Sequence, residues 1–235
     1  MTVIEHLEEL RYRLVISAFA FLVGSIVAYI FYDPILELLK TPLDSGGNIA
    51  GFHVELSVRG ITSAFFVQLK VSIFAGLVLA LPVILYQLWR FITPGLEEKE
   101  KRYALPFVLG SMFLFALGTT FAYLVMPQAI GFLLGFAQGL DTIIFIDDYV
   151  GFVSFMVLAF GITFELPMVL LFLAAAGMVT SQRLRKLRRH AAVATFVIAA
   201  VATPSQDPYS MTLMALPLYL MYEGAMLIIR FVMKK

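Results

Sequence analysis

The 235 residues are 61% hydrophobic and only 14% charged, with a mean hydropathy of +0.92, whereas a soluble domain is about half apolar and a quarter charged. That composition belongs in lipid, and a formal net charge of +1 gives no sign of a nucleic-acid partner. With no cysteine in the chain, a disulfide, a thiolate nucleophile and a Cys-ligated metal are all excluded.

The first segment, MTVIEHLEEL, has three Glu before its first Arg and no apolar run before residue 14. It resembles neither a secretory signal nor an Arg-rich transit peptide, so insertion is expected to use the first span. In HLEELRYRL, Leu7, Leu10 and Leu14 recur at helical spacing. They predict an N-terminal amphipathic helix with Glu5, Glu8, Glu9, Arg11 and Arg13 on its polar side.

Crossing about 30 Å of hydrocarbon takes roughly 20 helical residues. Runs of that length lie at 14–32, 71–89, 105–126 and 150–173, and two shorter ones at 191–202 and 212–229. The expected architecture is therefore all-α: one transmembrane domain over 1–235 with six spans, the fifth and sixth short. In the first long loop, PILELLK (34–40) predicts a short amphipathic helix ended by a TPLDSGG break, with the second helix starting near Val58. The stretch 129–140, AIGFLLGFAQGL, is too short and glycine-rich to span, and is expected to be an interfacial or re-entrant loop. The twelve-residue fifth span must either be covered by neighbouring helices or thin the bilayer around it.

Fourteen of the seventeen Lys and Arg fall in the N-terminal segment, the loops after spans two and four, and the C-terminal tail. Lys40, Arg59 and Lys70 alone remain for the other side. By the positive-inside rule, both termini are cytoplasmic.

Chemistry-bearing motifs are few. His6, His53 and His190 lie on three separate segments, and no HExxH, GxSxG or phosphate-cradling loop occurs. Neither an enzyme nor a bound metal or cofactor is expected. Two acidic clusters share the basic side: the one around Glu9, and Glu97, Glu98 and Glu100 in TPGLEEKEKRY. Singly, each is a solvated loop charge. Together, with Tyr12, Trp89 and Phe91 nearby, they suit an Arg-containing peptide, because a carboxylate accepts a guanidinium through a two-pronged fork.

Within the fourth span, FGITFELP contains Glu165. A carboxylate near the bilayer centre costs about 2 to 4 kcal/mol even on lenient insertion scales. Pro167 cannot donate to the Thr163 carbonyl, which predicts a kink and a polar pocket formed by Glu165, that carbonyl and the Thr163 hydroxyl. The pocket either receives a polar group from a partner, or is a packed Glu hydrogen-bonded to a neighbouring helix.

HLEELRYRL, LPVILYQLWRFITPGLEEKEKR, FGITFELP and TPSQDPYSMTLMALPLYLMYEG, in that order, resemble the TatC family, the receptor subunit of the twin-arginine protein translocase. The resemblance covers essentially the whole chain. It implies a multi-pass protein of the cytoplasmic membrane that binds twin-arginine signal peptides of folded substrates and associates with itself. It also implies assembly with TatA- and TatB-type single-span proteins and transport driven by the proton-motive force. On the family pattern, Glu9 and Glu100 are the arginine-binding pair, supported by Arg11 and Phe91. Pro42 and Asp207 match functional outer-loop positions, and Glu165 matches the intramembrane acid. This chain departs from the pattern at TPSQDPYSM, where the Asp is displaced by two positions and Met211 replaces a frequent Gln that contacts a partner; Ser210 or Thr212 can substitute. Intramembrane acids also suit a proton-coupled transporter of a small solute, but six spans without a repeat and one or two acids make a poor relay.

Overall fold

The computed structural model describes residues 3–51, 55–92, 104–139, 142–203, 205 and 207–233. Among them the chain runs α1 (Val3–Ile30), α2 (Tyr32–Ala50), β1 (Leu56–Ser57), α3 (Ser63–Ile92) and α4 (Ala104–Gly135). It continues through β2 (Ile144–Phe145), α5 (Ile146–Thr163), α6 (Leu166–Ala175), α7 (Ser181–Lys186), α8 (Arg188–Ala202) and α9 (Pro208–Phe231). Five stretches are long and apolar enough to cross a membrane: Ile4–Ile30, Ser63–Ile92, Leu105–Gly135, Ile146–Ala175 and Pro208–Phe231.

The helices pack where small residues let backbones approach, the usual device in a bilayer, where burial of apolar surface drives little. A Cβ on Gly24 of α1 would stand 2.6 Å from the Gly76 carbonyl oxygen of α3, so the α1–α3 crossing requires glycine there. A Cβ on Gly118 of α4 would meet the Phe160 carbonyl at 2.7 Å, which fixes α4 against α5. Around these crossings lies a core of Met126, Val150, Val153, Met156, Phe160, Phe164, Met214 and Leu218, all buried.

Several expectations need correction. The amphipathic N-terminal segment is not a separate helix; it continues into the first span as one 28-residue α1. The helix expected at 34–40 extends to Ala50, straight through the supposed TPLDSGG break. Two tertiary contacts make that possible. Pro42 leaves the Leu38 carbonyl without its helical donor, and the Tyr123 hydroxyl of α4 donates to it instead at 2.9 Å; the Tyr149 hydroxyl donates to the Leu39 carbonyl at 2.5 Å. Gly46 is buried face to face with α4, where a Cβ would lie 2.8 Å from Ile130 and 2.9 Å from the Pro127 carbonyl. The glycines therefore serve close packing, not a turn.

That same contact overturns the reading of 129–140 as a loop. Ala129 and Ile130 are buried, and α4 stays helical to Gly135. Only residues beyond 135 form a turn, closing at Gly139 with φ +82°. The second long helix starts at Ser63 rather than near Val58. The preceding residues form a minimal parallel sheet of two residues per strand, Leu56 beside Ile144 and Ser57 beside Phe145, and the architecture is otherwise helical as expected. An ion pair between Arg59 and Asp148 and a Lys70 Nζ–Asp147 carbonyl hydrogen bond of 3.0 Å tie this end together. The sixth span is not short: α9 has 24 residues. Over the expected fifth span, α8 has 15 residues, about 22 Å of helix, shorter than any of the five long apolar stretches. It buries Thr195 and Ala199 and leaves Val193, Val197 and Val201 exposed.

Candidate functional site

The N-terminal end of α1 and the C-terminal end of α3 meet at the basic end of the molecule, held by the Gly24–Gly76 crossing further along. Glu9, Arg13 and Gln87 converge there. The Arg13 guanidinium donates to Glu9 Oε1 through Nη2 at 2.7 Å and Nε at 3.2 Å, and to Gln87 Oε1 through Nη1 at 2.9 Å. The Arg13 and Glu9 side chains keep only 12% and 16% exposure, so this i,i+4 pair is far better shielded than a surface ion pair. Both prongs of Arg13 use one carboxylate oxygen. The other, Glu9 Oε2, is buried and accepts no hydrogen bond among the described residues. A charged oxygen in that state is ready for a cationic donor.

Beside this trio, His6 of α1 stacks on Phe91 of α3 with ring centroids 4.3 Å apart and planes 12° from parallel. Arg11 and Tyr12 of α1 are exposed. Trp89, expected beside a cationic ligand, points inward instead. It is buried, stacks on Phe107 at 5.1 Å, and donates from Nε1 to Ser111 Oγ at 2.8 Å. An indole with its N–H satisfied anchors a core, so Trp89 is removed from the binding face. Glu100, with the rest of 93–103, lies outside the described residues, as does His53.

Sequence reasoning missed Arg13, Gln87 and His6 as members of this cluster. The signals were present: Glu9 and Arg13 stand at the i,i+4 spacing of a helical ion pair, and Gln87 is a lone amide in an apolar run. Which face of α1 turned inward was not readable from the segment alone.

The second polar centre lies where the fourth crossing breaks. The Phe164 N–H still reaches Phe160 at 2.9 Å, but the Glu165 N–H takes the Ile162 carbonyl at 3.0 Å, a tighter turn. A new helix, α6, starts at Leu166 with Pro167 at its first turn, a position where proline's missing N–H is harmless. The expected kink is thus a break. The pocket is built differently from the expectation, however. Thr163 spends its hydroxyl on its own helix, donating to the Ala159 carbonyl. Ser111 of α4, fully buried, sets its hydroxyl beside the Glu165 carboxylate. Glu165 Oε1 is buried and accepts no hydrogen bond among the described residues. Ser111 thus stands between Glu165 and the Trp89 N–H that donates to it. Ser111 was missed because nothing in the α4 run distinguishes it from its apolar neighbours except the hydroxyl itself.

At the opposite end, Asp207 caps α9. Its Oδ1 accepts the Ser210 N–H at 2.7 Å and its Oδ2 the Ser205 hydroxyl at 2.5 Å. Burial pushes this carboxyl up, but the hydrogen bonds from Ser205 and Ser210 outweigh it and hold the group below the usual aspartate value. Ser210 is buried, Met211 half-buried, and the exposed Thr212 donates its hydroxyl to the Pro208 carbonyl at 2.7 Å. Pro42 is buried within α2.

The family model for TatC, Sec-independent protein translocase protein, matches residues 5–217. The Sec-independent protein translocase protein TatC of Aquifex aeolicus is 46% identical, over 95% of this chain and 92% of that protein. The protein of the same name from Frankia casuarinae is 42% identical, over 97% of this chain; the chain spans 65% of that longer relative. A crystal structure described as twin arginine translocase receptor TatC superposes with a TM-score of 0.81 at 44% identity, over 97% of this chain and 99% of that one.

Proposed function

We propose that this chain, which belongs to the TatC family, a family of protein translocase subunits and not of enzymes, is the receptor and core subunit of a twin-arginine protein translocase. It sits in the cytoplasmic membrane with both termini and the basic loops on the cytoplasmic side. There it binds the paired arginines of signal peptides on folded substrates. Glu9 and Glu100 receive the two guanidiniums; Phe91, stacked on His6, offers an aromatic edge to the peptide, and Arg11 lies on the exposed side of the same turn. TatA- and TatB-type partners and self-association complete the machine, with Pro42, Asp207, Ser210, Met211 and Thr212 at its outer end and Glu165 within the bilayer. Transport draws on the proton-motive force. A solute transporter finds no support, since the relatives are named as protein translocases.

The observation that carries this reading is the state of Glu9. Arg13 holds its carboxylate in place through one oxygen while the other is buried beside it with no donor among the described residues. An incoming arginine fits that oxygen better than lysine does, because its planar fork can bond while Arg13 keeps its position. The test is binding of a labelled twin-arginine peptide to the purified full chain in detergent. Glu9→Lys and Glu100→Lys are expected to abolish binding by chains that still fold, read from a cooperative melting transition, and a twin-lysine peptide is expected to bind weakly. Unchanged binding in both variants refutes the assignment.

A further inference from the structure

We propose that the cleft between α7 and α9 is a binding site for the head group of an anionic phospholipid. The cleft has a volume of about 560 Å³ and is lined by Gln182, Arg185 and Arg188 on one side and by Met226, Leu227 and Arg230 of α9 on the other. Three guanidiniums thus face one space at the end of a membrane-crossing helix.

Their charge is only partly cancelled. Arg188 Nη2 donates to Glu223 Oε2 at 2.5 Å, and Glu223 Oε1 accepts the Tyr219 hydroxyl at 3.1 Å, so that carboxylate is used on both oxygens. The Nε of Arg188 is buried and donates to nothing among the described residues. Arg185 and Arg230 are exposed and make no ion pair among the described residues; Arg230 lies 5.1 Å over the Phe231 ring. Two positive charges remain in excess, both on guanidiniums, whose geometry matches two phosphate oxygens at once.

The second feature separates a lipid from a soluble phosphate. Leu227, 47% exposed, lies three residues before Arg230 on α9, so an apolar wall begins about 5 Å deeper than the charged mouth. A free phosphate uses only the mouth. A phospholipid uses both, placing its phosphodiester among the arginines and its acyl chains along Leu227. Basic pockets between helices on the positive side of a membrane protein are suited to such head groups.

The experiment is native mass spectrometry of the full chain in detergent, titrated with cardiolipin, phosphatidylglycerol or phosphatidylcholine of matched acyl chains, with glycerol phosphate as a competitor lacking chains. The cleft variant is Arg185→Gln with Arg230→Gln. A control variant, Arg183→Gln with Arg189→Gln, removes equal charge from the same segment outside the cleft. The anionic lipids are expected to bind the unaltered chain and the control within twofold, and the cleft variant about tenfold more weakly. Phosphatidylcholine is expected to be lost and millimolar glycerol phosphate to displace nothing. Equal weakening in both variants, equal binding of phosphatidylcholine, or displacement by glycerol phosphate overturns the site. Should the cleft variant melt early, Arg185→Lys with Arg230→Lys decides. It keeps the charge and removes the fork, so weaker binding supports the site and unaltered binding overturns it.

Discussion

Glu9 and Glu165 are the same group in two environments. Glu9, at the basic end, is held by the Arg13 cation, which Gln87 of a second helix holds in turn. Glu165, at the break between α5 and α6, lies beside the neutral Ser111 hydroxyl, to which Trp89 donates. Each has one oxygen buried without a donor among the described residues. The difference lies in what the surroundings favour. A guanidinium beside Glu9 keeps the site ionic and directional, so it discriminates by charge. A neutral hydroxyl beside Glu165 brings no opposite charge, so that site discriminates by shape and by whether a polar partner arrives at all.

The largest effect that separates the two is charge reversal. Glu9→Lys sets a second cation against Arg13 and is expected to weaken twin-arginine peptide binding about a hundredfold or more, measured by fluorescence anisotropy. The Lys is tolerated in the fold because α1 is anchored further along at Gly24. If the peptide still binds, Glu9 is a helix-packing residue and the contrast with Glu165 disappears. Next comes Glu165→Ala, which removes the only carboxylate at the break. It is expected to lower export in a reconstituted assay about tenfold, an apparent barrier of about 1.4 kcal/mol; export at the normal rate would show that the site is purely internal.

Ser111→Ala tests the link between Glu165 and Trp89. It leaves the buried indole N–H without its acceptor and is expected to cost about 1 to 3 kcal/mol of stability, read as a lower melting temperature in detergent with Glu9-dependent peptide binding unchanged. A parallel fall in peptide binding would mean that the two centres act as one.

Asp207 is the third carboxylate of the comparison, held by neutral donors and outside the membrane-crossing segments. Its hydrogen bonds place it below the ordinary aspartate value of 3.8, so its contribution is fully present above that value and is lost as the pH falls through the depressed one. Acidification below the ordinary value is expected to loosen the first turn of α9 by about 1 kcal/mol, seen as faster hydrogen exchange in residues 207–212. Between pH 6 and 8 no change is expected, and a change there would assign the response to another group. The smallest effect is Glu165→Gln, which keeps a hydrogen-bonding group of the same shape. Export within twofold of normal is expected, and a large loss would show that the acid's charge or proton, not its hydrogen bond, does the work.

Much of this was legible in the residues. Hydropathy located the five long apolar helices, reading only the last of them as short, since a run of some twenty apolar side chains has few soluble alternatives. Glu165 marked itself by its cost in lipid, and Pro167 marked the break beside it, because a missing N–H acts locally whatever surrounds it. Glu9 was found through its motif, and its i,i+4 partner Arg13 was in plain view as a spacing.

What the residues alone misjudged were the places where local chemistry yields to a neighbour. Pro42, Gly46 and Gly47 look like a helix end, and became helix interior because Tyr123 and Tyr149 donate to the Leu38 and Leu39 carbonyls and because α4 approaches Gly46 too closely for a Cβ. The 129–140 stretch looked like a loop for the same reason, seen from the other side of that contact. Trp89 and Ser111 could be paired only by the packing of α3 on α4. Composition and periodicity determined which segments enter the membrane, because transfer free energy is summed residue by residue along the chain. The tertiary structure decided which glycines break a helix and which seat one, and which polar groups meet, because those outcomes depend on atoms contributed by another part of the sequence.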